Sequence, residues 1–118
     1  MPTSRLRVAR DPALALIVRI FVGSVTERWD VPEPVREDLR LAASELFSGA
    51  VETGNGGPVT FVLSFVDAGV ELRAEDIKLP EDGAADLEGW TGRFELVQAL
   101  FPDAEIGDTV RIRIPAPA

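Results

Sequence analysis

The stretch PVTFVLSFV (58–66), leading through DAG (67–69) into GVELRAED (69–76), constrains this chain more than any other segment. Val59, Phe61, Leu63 and Phe65 alternate with Thr60, Val62, Ser64 and Val66. Val70, Leu72 and Ala74 alternate with Glu71, Arg73 and Glu75. A period of two is that of a strand, and so short a connection leaves an antiparallel hairpin as the economical arrangement. The apolar side of such a hairpin needs a covering layer, while Glu71 and Arg73 need water. A length of 118 residues allows one compact domain, 1–118, with a real core and no disulfide staples.

The remaining segments supply that cover. SRLRVAR (4–10) reads as a short strand with Leu6 and Val8 on one face. Asp11-Pro12 opens a helix, the aspartate as N-cap and the proline at the first helical position. Leu14, Ile17, Val18, Phe21, Val25 and Trp29 have helical spacing. DVPEP breaks this helix, and a second from about Pro34 buries Val35, Leu39, Ala42, Leu46 and Ala50 and ends at Gly54. GNGGP (54–58) is a turn. After a polar loop (77–88), a third helix over about 89–101 aligns Trp90, Phe94, Val97 and Leu100 or Phe101. TVRIRIPA closes the chain as a strand with Val110, Ile112 and Ile114 inward. The expected fold is α+β, a two-layer sandwich whose mixed, mostly antiparallel sheet is covered on one face by three helices.

Composition narrows the chemistry. There is no cysteine and no histidine, which removes thiolates, disulfides and the commonest general base and metal ligand. A formal charge of −8 and a pI near 4.5 argue against direct nucleic-acid binding, which normally uses a basic face. The apolar run 13–22 is interrupted by Arg19, lacks a clear cleavage site after it and is too short to span a bilayer. The reading is a cytoplasmic protein with no membrane association.

In SELFSGAVETG (44–54), Glu45 and Gly49 lie one above the other on a helix face. A glycine inside a helix costs roughly 1 kcal/mol relative to alanine. Three readings fit: a close-packing contact, space for a ligand, or a lost functional side chain. Asp76, at the end of the second hairpin strand, has the parity of the core-facing residues. It either points towards the helices or lies beyond the strand in solvent.

These blocks resemble the GHKL (Bergerat-fold, histidine kinase-like) ATPases, above all the small anti-sigma-factor serine kinases of the RsbW and SpoIIAB type. The likeness runs through DPALALIVRIFV, VREDLRLAASELFSGAVETG, VELRAED, GRFELVQALF and DTVRIRIP. In that family the second helix carries a glutamate that activates the substrate hydroxyl and, four residues on, an asparagine that holds Mg²⁺. Glu45 and Ala50 match the pattern, the asparagine is Gly49, and Thr53 stands where a histidine often follows. Asp76 matches the adenine-binding aspartate, but Lys78 and Pro80 replace the glycines after it. The glycine-rich phosphate turn before the third helix is reduced to Gly92, with Arg93 and Phe94 beside it.

The resemblance therefore implies a vestigial ATP site made of Glu45, Gly49, Asp76, Lys78, Gly92 and Arg93. Glycine has no oxygen to replace asparagine's, and lysine and proline obstruct backbone that a nucleotide must approach. The expectation is a non-catalytic anti-sigma-factor-like regulator, without cofactor, that binds a sigma factor or a STAS-type antagonist protein. Family kinases commonly dimerise, so the resemblance also allows a homodimer. The alternative is an active ATP- and Mg²⁺-dependent protein-serine kinase with Glu45 as base. A generic two-layer α+β protein, with Glu45 a solvated charge and Gly49 a close contact, is the plain competitor. The acid-rich loop 81–88 reads as a collapsed counterpart of the family's nucleotide lid.

Overall fold

The computed structural model describes residues 2–53, 57–67, 69–77 and 87–115, with the backbone alone at 53 and 87–91. Lys78, Pro80 and most of the expected lid segment lie outside the described residues, as do Gly54–Gly56 of the GNGGP turn.

Four strands form one sheet in the order β1 (Thr3–Val8), β2 (Val59–Val66), β3 (Gly69–Glu75) and β4 (Val110–Ile114). Every pairing is antiparallel, so the sheet falls at the antiparallel end of the expectation. The hairpin stands as read: Val66 pairs with Gly69, and Asp67 in the connection has φ 50°. Helices α1 (Ala15–Arg28), α2 (Glu33–Thr53) and α3 (Leu87–Leu100) complete the fold. Asp11 accepts the Ala13 N–H and starts a 3-10 turn, Pro12–Leu14, that runs into α1.

The core joins the apolar face of the sheet to α1, α2 and α3. Phe61, Leu63, Leu72 and Ile112 meet Val18, Val22, Leu39, Leu46, Phe47 and Val97, all fully buried or nearly so. Two details of α1 differ from the sequence reading. Ile17 is 45% exposed, whereas Val22 and Thr26 are fully buried. Thr26 is tolerated there because its hydroxyl donates to the Val22 carbonyl at 2.6 Å, so the polar atom enters the core already satisfied. α1 then ends on Asp30, in the left-handed region at φ 57°. The Asp30 and Val31 N–H groups return to the Glu27 and Thr26 carbonyls, which stops the helix without a glycine.

The other sheet face has no helix over it among the described residues. Its rows are Thr3–Ser64–Glu71–Arg113, Arg5–Val62–Arg73–Arg111 and Arg7–Thr60–Glu75. Val62 is only 1% exposed although it points to this open side. It lies in register between Arg5 and Arg73, whose aliphatic stems are suited to cover it. Glu71 takes hydrogen bonds from Arg113 at 2.8 Å and Arg73 at 3.3 Å. Burial works to raise its pKa, but the Arg113 hydrogen bond and the charges of Arg113, Arg73 and Arg111 overcome this. The result lies below the ordinary carboxylate value.

A depressed folded-state pKa contributes stability that is present above the unfolded value, about 4.3 for a glutamate, and is lost as pH falls through the folded value. Urea unfolding across acid pH should therefore show wild type losing its advantage over Glu71→Gln as pH drops below about 4. Parallel stability curves for the two proteins over that range would show that Glu71 carries no such coupling.

Candidate functional site

The last turn of α2 sets the electrostatics of this end of the molecule. The final four carbonyls of a helix lack partners within it, and the helix dipole makes that end negative. The last turn of α2 has no basic residue of its own, and it carries Glu52. Glu45, Gly49 and Glu52 fall on one face at helical spacing. Both cations that meet this end come from elsewhere in the chain.

Arg10, just beyond β1, donates from Nη1 to the Ala50 carbonyl at 2.9 Å, in the last turn of α2. Its Nε donates to the Gly57 carbonyl at 2.8 Å, and Nη2 to the Asp76 carbonyl. Nη1 also reaches the Ile77 carbonyl at 3.4 Å. One guanidinium thus fastens the end of α2, the entry to β2 and the exit of β3. Burial lowers the Arg10 pKa from its ordinary value and the charge of Asp76 opposes that shift; the group stays protonated at any biological pH.

Arg93 enters from α3. Its Nη1 donates to Glu45 Oε2 at 2.8 Å and its Nη2 to Glu52 Oε1 at 2.6 Å. Gly49 is buried and lies between these two glutamates on the same face. The Arg93 side chain is 19% exposed, Glu45 30% and Glu52 61%. The Glu45 half of the bridge is therefore the better shielded.

Of the residues read as a vestigial ATP site, the fold brings Glu45, Gly49 and Arg93 together. Asp76 is close to them only through Arg10. β3 stops at Glu75, Asp76 takes φ 63°, and its side chain is exposed rather than directed towards the helices. Left-handed backbone at this point breaks the strand alternation on which the inward parity rested. Gly92 also departs from expectation. α3 begins at Leu87, so Gly92 lies in the second turn, exposed, and a Cβ at this position would meet nothing within 4 Å. Its amide belongs to the helix ladder and is not one of the open N-terminal donors. Lys78 lies outside the described residues. Among the described residues no group of three or more Asp or Glu side chains is arranged to hold a metal ion, and no helix is long and apolar enough to cross a membrane.

Sequence reasoning named Arg93 but missed Arg10 and Glu52. A signal for Glu52 was present: it lies seven residues after Glu45 and so repeats its face. No local pattern pointed to Arg10. Neither a family model nor a curated protein matches the chain.

Arg10→Met should cost about 1–3 kcal/mol, since four carbonyls, two of them in part-buried bonds, lose a charged donor together, and Arg10→Lys should not restore it. Arg93→Met should cost about 1–2 kcal/mol, with little of it traceable to exposed Glu52. Urea unfolding midpoints at constant slope measure both. Losses below about 0.5 kcal/mol for either would mean that its hydrogen bonds add nothing beyond exposed ion pairs.

Proposed function

We propose that this chain is a non-catalytic regulatory protein of the GHKL type that acts by binding another protein, in the manner of an anti-sigma factor without kinase activity. The observation that carries the reading is the Arg93 bridge. The glutamate that would serve as base is held by a guanidinium at 2.8 Å, and the same guanidinium is held by Glu52. An arginine cannot give up its proton to free that carboxylate. A carboxylate so paired is a weak acceptor for a substrate hydroxyl.

The neighbouring geometry supports the same reading. The position that would bring a Mg²⁺ ligand is a glycine, the aspartate that would meet adenine faces solvent, and the glycine that would admit phosphate lies within a helix. Mg²⁺ needs near-octahedral oxygen coordination, and these residues do not offer it. The partners to test are purified sigma factors and STAS-domain antagonists from the source genome.

Calorimetric titration with Mg-ATP decides against the kinase alternative. The expected result is no saturable heat at millimolar nucleotide, for wild type and for Gly49→Asn alike. Micromolar binding that is lost in Asp76→Asn would overturn the proposal and favour an active kinase with Glu45 as base.

A further inference from the structure

The chain is strongly acidic, yet its open sheet face is not. Arg5, Arg7, Arg73, Arg111 and Arg113 stand there against Glu71, Glu75 and, bridged to Arg111 at the β4 edge, Glu105. All three glutamates are matched to arginines of β3 and β4. The Arg5 and Arg7 side chains, both exposed, make no ion pair or hydrogen bond among the described residues. The uncompensated charge therefore gathers on β1.

β1 is also an edge strand. The Phe65 N–H donates to the Pro2 carbonyl at 3.0 Å, so Pro2 and Phe65 form a hydrogen-bonded pair. Antiparallel ladders alternate such pairs with non-bonded ones. By the observed register, the backbone N–H and C=O groups of Thr3, Arg5 and Arg7 then turn away from β2. Among the described residues no other strand takes them up. At the start of β1, a groove against α1 is lined by Thr3, Ser4, Val25, Arg28 and Trp29, adding a further arginine and an apolar floor.

We infer that the free edge of β1 is a docking site for an extended acidic segment of a protein partner, added as a fifth, antiparallel strand. Residues opposite Thr3, Arg5 and Arg7 would exchange backbone hydrogen bonds with them and set carboxylates beside the two arginines, whose forked donors suit that group. The residues between them would face the helix side, along Leu6 and into the α1 groove, where apolar side chains fit. The recognised pattern is thus acidic at alternate positions with apolar residues between. A second copy of the chain is a poor occupant: the register that uses all three outward residues sets Arg5 against its own counterpart, and like charges in direct opposition destabilise a pair. A nucleic acid offers no strand backbone that could exchange hydrogen bonds with the edge.

The inference narrows the partner class proposed above and rests on that reading only for the partner being a protein. The Mg-ATP titration and the peptide experiment fail independently of one another. The probe is a labelled, end-blocked peptide of alternating glutamate and valine, followed by fluorescence anisotropy against the full chain. Saturable binding is expected, weakened at least about tenfold by Arg5→Gln with Arg7→Gln, and unchanged by Arg113→Gln on the far edge. Methylating the glutamate amides should abolish binding, whereas methylating the valine amides should not. Replacing glutamate by lysine in the peptide should also abolish it. The inference is overturned by no binding at millimolar peptide, by equal loss in Arg113→Gln, by indifference to amide methylation, or by tighter binding of a single-stranded oligonucleotide.

Discussion

The negative end of α2 is the constraint from which the rest of this molecule follows. A 21-residue helix that packs against both other helices and the sheet must end somewhere, and its last carbonyls then need donors. This chain places Glu52 at that end, which adds like charge to the dipole. Arg10 and Arg93 answer the charge from two other parts of the sequence. Because Arg10 also holds the Gly57, Asp76 and Ile77 carbonyls, the strand ends are fixed by the group that caps the helix.

That arrangement gives the two sides of the protein different characters. On the helix side, Arg10 and Arg93 are consumed internally, each donating to more than one acceptor of the same chain. On the open sheet face, Arg73 and Arg113 are consumed by Glu71 and Glu75, while Arg5 and Arg7 are not. Charges left unpaired at an edge strand resist pairing with another copy of the same edge and favour a complementary one. An acidic protein that keeps a basic edge has a means of selecting its partner by charge.

The sheet and its inward residues were legible because a period of two and a very short connection leave few alternatives; Phe61, Leu63, Leu72 and Ile112 are all where alternation puts them. The Asp11 cap and the proline-rich break before α2 were legible for similarly local reasons. Ile17 was misread because it shares helical spacing with Val18, and only the position of α2 decides which of the two is covered. Thr26 was missed because its polarity is cancelled by a bond to its own helix. Asp76 was misplaced since one left-handed residue reverses strand parity, and Gly92 since the third helix was read from about residue 89 although Asp86, a preferred capping residue, directly precedes Leu87. The contacts of Arg10 and Arg93 link residues 40 or more positions apart. Such pairing depends on the assembled fold and leaves no periodic trace.

The central claim is that Arg10 and Arg93 hold the end of α2 through hydrogen bonds made within the chain. It is tested most directly by proton–nitrogen NMR of arginine side chains in the intact protein. Arg10 and Arg93 should give resolved, slowly exchanging guanidinium signals that do not move when Mg-ATP is added. Rapidly exchanging, water-like signals from Arg93, or a shift of Arg10 and Arg93 together on adding Mg-ATP, would contradict the account.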